Sequence, residues 1–149
     1  KKIHNSLIKS ILKVNSEAIN HGLKIIKRNF DKRKIICILG ASFKENSDDT
    51  RKSRTISIAS KLKQLNFKFD IIDPEVKKIG SFKCQPFNKK SIKRYEYFIL
   101  MTKWQEFSGL YKISFASNVK IIDFRNFFEV DKFKSNKIKL ISLGSSALS

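Results

Sequence analysis

Ile35-Ile36-Cys37-Ile38-Leu39-Gly40-Ala41-Ser42-Phe43-Lys44-Glu45-Asn46-Ser47-Asp48-Asp49-Thr50-Arg51-Lys52-Ser53 is the stretch from which the rest of the chain can be read. Residues 34–39 are largely β-branched and apolar on both parities, the pattern of a strand buried on both faces. Gly40 closes it. A polar loop of roughly a dozen residues follows, long for a strand-to-helix connection. It carries two separated cations, Lys44 and Arg51, the adjacent acids Asp48 and Asp49, and the aromatic Phe43. A solvated connection is one reading. The length favours a binding loop, because α/β sheets place ligands where such loops leave the strands. Ser53 is placed to cap a helix over 54–65, whose apolar stripe is Ile56, Ile58, Ala59, Leu62 and Leu65. A second strand over 67–72 is stopped by Asp73-Pro74. Strand, loop, helix and strand make a βαβ unit with parallel strands and a right-handed crossover.

Before this unit, residues 1–28 read as one long helix. Ile3, Leu7, Ile8, Ile11, Leu12, Ala18, Ile19, Leu23 and Ile26 recur at three- and four-residue steps. No capping box or Pro opens it, so the chain is expected to start inside an element. Gly22 is either tolerated or a site of close packing. Residues 29–33 are a polar connection. After the unit, 75–88 reads as irregular, 91–95 and 110–115 as short helices, and 97–101, 120–122 and 138–143 as strands, with a tail over 144–149. The expectation is an α/β, Rossmann-like three-layer domain. It has a mainly parallel sheet of about five strands with helices on both faces, preceded by the long helix. Residues 1–31 form the helix and its connection, and 32–149 the domain. The loops at 41–53, 102–104 and 123–126 should then converge on one sheet edge.

Composition narrows the function. The 149 residues hold 32 Lys and Arg against 13 Asp and Glu, a formal charge of +19. Such a surface attracts anions, nucleic acid included. The lysines are scattered, however. The wealth of Lys, Ile, Asn and Phe beside scarce Ala, Gly and Pro matches an A/T-rich coding bias. Nucleic-acid binding is therefore a disfavoured alternative. No apolar run approaches the roughly 20 residues of a membrane span. The opening Lys1-Lys2-Ile3-His4-Asn5 has no leader-like apolar core, so a cytoplasmic setting is the default. Cys37 and Cys84 do not make a disulfide framework, and Cys37 reads as a core residue. His4, His21 and the cysteines lack metal-ligand spacing. Neither GxGxxG nor GxxxxGK[ST] occurs.

Lys44, Arg51 and Arg125 are the cations expected at the ligand edge. Arg offers a planar fork of donors to phosphate and Lys a compact charge, so a pyrophosphate or nucleotide is the natural ligand. The alternative is that each is a surface charge paired with Asp48, Asp49 or Asp123. Trp104 and Phe43 could stack on a base, or belong to the core. No nucleophile–base pair can be argued.

The run from Gly40 to Ser53 resembles the G-[LA]-[ATS]-F-K-x-[NG]-T-D-D-x-R-x-S signature of the UDP-glucose/GDP-mannose dehydrogenase family. Asp73-Pro74 is similar to its Y-D-P, Thr102-Lys103-Trp104-Gln105-Glu106-Phe107 to its T-[ED]-W-x-[ED]-F, and Asp123-Phe124-Arg125-Asn126 to its D-[GA]-R-N. The opening helix, with Val14-Asn15, resembles the end of the family's long central dimerisation helix. The resemblance implies the C-terminal, nucleotide-sugar-binding portion of an NAD-dependent nucleotide-sugar 6-dehydrogenase serving polysaccharide precursor synthesis. UDP-glucose is the favoured substrate, in part because of Trp104, with GDP-mannose and UDP-hexosamines as alternatives. It implies that Phe43, Lys44 and Arg125 bind the nucleotide sugar, that Arg51 reaches the NAD, and that the 1–28 helix makes a homodimer. The family's NAD domain and catalytic Cys fall outside these residues, and no catalytic residue is assigned here. A catalytically inactive dimerisation or binding module is the remaining alternative.

The chain departs from the signature at Lys52 and at Arg54, where Glu and Pro are usual. A cation at 54 opposes the helix dipole. Phe124 stands where a small residue usually precedes Arg125, and a left-handed backbone there would be strained. The cations of the 41–53 loop are expected to be poorly paired.

Overall fold

The computed structural model describes residues 2–143, and only the backbone at positions 2, 11, 14 and 15. The side chains of Ile11, Val14 and Asn15, and the tail expected at 144–149, lie outside the described residues. The first element is the long helix α1 (Lys2–Asn29), close to the expected bounds. Among the described side chains, only the last part of its apolar stripe is covered. Ile19, Leu23 and Ile26 are buried, whereas Ile3 is 87% exposed and Leu7 and Leu12 more than half. The helix thus docks by its C-terminal turns and carries an uncovered stripe beyond the domain. Its end is fastened to the sheet. Phe30 stacks on Tyr97 with ring centroids 4.3 Å apart, and the Lys120 ammonium donates to the Asn29 carbonyl at 2.8 Å.

Strand β1 (Ile36–Leu39) is the centre of the sheet, and all four of its residues are buried. Helix α2 (Thr55–Gln64) follows the loop and leads to β2 (Phe69–Ile72), parallel to β1. A hairpin of β3 (Lys78–Ile79) and β4 (Phe82–Gln85) comes next, with β4 parallel to β2. The chain then crosses to the other side of β1 for β5 (Tyr97–Leu100), β6 (Val119–Asp123) and β7 (Ile138–Ser142), all parallel. The sheet has seven strands in the order β3-β4-β2-β1-β5-β6-β7. The expected five become seven because 78–85 pairs. Its strands are too short for a periodic signal, and Gly80, with φ of 56°, makes the turn. The reversal of winding between β1 and β5 is the switch point at which doubly wound sheets bind ligands.

Both faces of β1 are packed, as its composition requires. Ile36 and Ile38 join the core formed with α1 and α2, through residues such as Leu23, Ile26, Ile58 and Leu62. Cys37 and Leu39 join the opposite core, with Phe98, Trp104, Phe107 and Leu110. That second layer is not helical in the sense expected. It consists of 3-10 segments at Ser91–Arg94, Gln105–Lys112 and Val130–Lys132, filled by interlocked aromatic rings. Among the described residues no helix is long and apolar enough to cross a membrane.

At Gly22, α1 packs closely on the residues that follow β6 and β7. A Cβ there would collide with the tip of the buried Phe124 ring and come within 3.2 Å of the Leu143 side chain. Ala has better helix propensity than Gly by about 1 kcal/mol. Overpacking should outweigh that gain. Gly22→Ala is expected to destabilise by about 1–3 kcal/mol in urea unfolding. Combining it with Phe124→Leu should cost less than the sum of the two single changes, because the smaller side chain makes room.

Candidate functional site

The carboxyl ends of β1, β2 and β5 are held together by one carboxylate. Asp73, 2% exposed, follows β2 and accepts five N–H groups. Oδ2 accepts the backbone N–H of Ala41 at 2.7 Å and of Ser42 at 3.2 Å, and the indole N–H of Trp104 at 3.2 Å. Oδ1 accepts the N–H groups of Glu75 and Val76 at 2.9 and 2.8 Å. Thr102 adds a bond from its hydroxyl to the Ser42 carbonyl at 2.8 Å, and the Trp104 indole also donates to Ser42 Oγ at 3.1 Å. Trp104 is thus a core residue whose N–H fixes the loop. Gly40, with φ of 99°, is required here, because a Cβ would lie 2.7 Å from the Thr102 nitrogen.

Beyond Ser42 the loop shapes itself. The Phe43 N–H bonds to the Asp49 carbonyl at 2.7 Å. Asp49 accepts the Arg51 backbone N–H at 2.9 Å and two guanidinium N–H groups at 3.0 and 2.9 Å. Arg51 is therefore well paired, against expectation, because the i+2 turn at Asp49 places its own cation over the carboxylate. Those hydrogen bonds hold the Asp49 carboxyl at about 2, below its ordinary 3.8. Lys52 follows in a left-handed conformation with φ of 61°. Helix α2 begins at Thr55, one residue later than expected. Ser53 Oγ accepts the Thr55 N–H at 3.3 Å, and the Thr55 hydroxyl bonds to the Gly40 carbonyl at 2.8 Å.

A cleft of about 140 Å³ opens between this loop and the ends of β5 and β6. Three cations, Lys52, Arg54 and Arg125, line it together with Phe43, Ser42, Ser53 and Met101, and among the described residues no carboxylate does. Phe43 is 49% exposed at its side. The half-buried Arg54 guanidinium is lowered from its ordinary range, first by burial and then by Arg125. Arg125 is positioned by Asp123, which is fully buried and accepts the N–H groups of Arg125, Phe127 and Phe128, each at 2.8 Å. The left-handed residue of this turn is Asn126, with φ of 52°, and Phe124 is spared the expected strain.

The three loops expected to converge therefore do so. Of the residues singled out in the sequence, Phe43 and Arg125 share the cleft. Lys44 is exposed and outside its lining, and Arg51 is engaged with Asp49. Lys52 and Arg54 were read only as departures from a signature. Their position at the end of the loop, immediately before α2, was the signal that could have placed them here. Cys37 and Cys84 stand apart from the cleft. Burial pushes both thiols up, Cys84 to about 11, so neither supplies a thiolate at neutral pH. Among the described residues no three His, Cys, Asp or Glu side chains come together as a metal site.

The family model of the UDP-glucose/GDP-mannose dehydrogenase family, UDP binding domain, matches residues 37–130. The chain belongs to this family. A UDP-glucose 6-dehydrogenase of Rhizobium meliloti (strain 1021) is 26% identical over 117 residues, covering 73% of the chain and 27% of that protein. Two solved structures share the fold. A UDP-glucose dehydrogenase from the hyperthermophilic archaeon Pyrobaculum islandicum has a TM-score of 0.68 at 20% identity, over 90% of this chain and 31% of its own. An NDP-N-acetyl-D-galactosaminuronic acid dehydrogenase from Methanosarcina mazei Go1 has a TM-score of 0.68 at 18% identity, over 87% and 29%. The chain thus spans about a third or less of these dehydrogenase-family relatives.

Two measurements check this geometry. Asp73→Asn keeps the shape but turns an NH₂ toward buried donors. It should cost at least about 3 kcal/mol in denaturant unfolding and alter Trp104 fluorescence in the folded state. For Asp49, the folded value lies below the unfolded one. Its pairing is fully present above the ordinary 3.8 and is lost as pH falls through about 2. Carboxyl-carbon NMR should give a midpoint near 2 for Asp49, rising toward 3.8 in Arg51→Gln.

Proposed function

We propose that this chain is the C-terminal substrate-binding portion of an NAD-dependent nucleotide-sugar 6-dehydrogenase. Its favoured substrate is UDP-glucose, and it serves the supply of uronate precursors for polysaccharides in the cytoplasm. One observation carries the reading: a cleft at the switch point of the sheet, lined by three cations and no carboxylate. Such a site suits a diphosphate, because planar guanidinium forks match phosphate oxygens and the charge is unneutralised by the protein. Arg125 grips the diphosphate, and Phe43 offers an exposed ring to the base or sugar. Lys44 adds attraction from outside the lining. Arg51, presented by Asp49 with its guanidinium largely in solvent, faces the NAD. These 149 residues lack a dinucleotide-binding glycine motif, so Arg51 is their one assigned contact to that cofactor. The cofactor supplies hydride acceptance, and this domain orients the sugar for it. The uncovered stripe of α1, with Ile3, Leu7 and Leu12, pairs with a second copy.

Calorimetric titration of the purified chain tests the reading. UDP and UDP-glucose should bind weakly and lose affinity with salt, since exposed charges are screened. Arg125→Gln should weaken binding by about tenfold or more, the value of one charge-assisted hydrogen bond. No heat at millimolar UDP, GDP or their sugars would overturn it.

A further inference from the structure

Resting on the nucleotide-sugar reading of this cleft, we propose that Arg54 is a second phosphate-binding residue. With Arg125 it forms a two-guanidinium clamp that selects a diphosphate over a monophosphate. Three of the four other arginines hold acids: Arg33 pairs with Asp31, Arg51 with Asp49 and Arg94 with Asp70. Arg54 and Arg125 share one cleft, and among the described residues no ion pair or side-chain hydrogen bond is made by either guanidinium. A half-buried guanidinium facing another without an acceptor is unfavourable unless an anion joins them. The Arg54 guanidinium is accordingly lowered by burial and by Arg125, the direction expected of two cations sharing a site.

The geometry selects the kind of anion. Arg54 immediately precedes α2, its backbone already helical at φ −74° and ψ −15°, and its carbonyl accepts the Ile58 N–H at 3.2 Å. Arg125 leaves the other side of the cleft on the Asp123 turn. The two side chains thus come from separate elements, each fixed by backbone bonds, and two forks approaching from different loops match two phosphate groups better than one. A volume of about 140 Å³ is far below that of pockets enclosing whole ligands, so the cleft takes the anionic part alone. The base and sugar then extend past the exposed Phe43.

Titrating the full 149-residue chain with inorganic pyrophosphate, phosphate, UDP and UMP tests the clamp. The parent should prefer pyrophosphate to phosphate and UDP to UMP. Arg54→Gln should weaken pyrophosphate and UDP by about tenfold or more and largely abolish both preferences. Arg54→Lys should recover part of the affinity but not the preference, since Lys lacks the fork. Lys9→Gln, the same charge loss on the projecting helix, should change nothing; an equal loss there would mean diffuse attraction and would overturn the clamp. Unchanged UDP and pyrophosphate binding in Arg54→Gln beside a loss in Arg125→Gln would also overturn the clamp while leaving the nucleotide reading intact. Pyrophosphate binding that depends on Arg54 with no binding of UDP would do the reverse. Circular dichroism of each variant separates these outcomes from misfolding.

Discussion

The buried carboxylate of Asp73 is the constraint on which the site depends. A charge removed from water is costly unless its acceptor capacity is filled, and here five N–H donors fill it. Those donors come from three separate loops, so the requirement that each buried N–H be bonded also fixes where the loops lie. Removing the carboxylate would leave two backbone amides of the loop after β1 and the Trp104 indole without their shared acceptor. The ligand edge would then lose its geometry even with every strand in place.

The same chemistry recurs along the chain. Asp31, Asp49, Asp73 and Asp123 each accept the backbone N–H two residues on, from Arg33, Arg51, Glu75 and Arg125. This is the turn that Asp favours, because its short side chain mimics a backbone acceptor. It has an electrostatic consequence. A chain with 13 acids against 32 bases spends several of its carboxylates on shaping loops. None of them lines the cleft, so the field there stays positive. Loop geometry and anion affinity are in this way two results of one allocation of aspartates.

The central strands were legible because burial on both faces leaves no polar parity, and β1, β5 and the helix before β2 could be read from apolar spacing alone. The topology then placed the three loops together without any side-chain information. What escaped has identifiable causes. Residues 78–85 form a hairpin whose partner strand, β3, has two residues, below any periodic signal. The layer over Cys37 and Leu39 is built from 3-10 turns and aromatic rings, whose packing follows shape and not spacing. Asp73 read as a turn residue, since a sequence does not reveal which distant N–H groups will meet a carboxylate. Pairing of Arg51 with Asp49 stood only as the alternative to a ligand contact, because spacing alone does not show which neighbouring acid a flexible guanidinium will reach. Lys52 and Arg54 read as blemishes on a pattern, although their charge is what the cleft displays.

Two features of the domain are incomplete on their own, and in the same way. The cleft is charged, but at about 140 Å³ it encloses far less than a nucleotide sugar. Helix α1 buries Ile19, Leu23 and Ile26 yet leaves Ile3, Leu7, Ile8 and Leu12 in solvent. An isolated apolar stripe gains nothing from exposure, and a cationic cleft without an acceptor gains nothing from self-repulsion. Apolar surface laid on the helix would be favourable through burial, and negative charge in the cleft would relieve the repulsion among its cations. The core of the domain is closed around β1, while the first turns of α1 and the cleft at the sheet edge stay open to solvent.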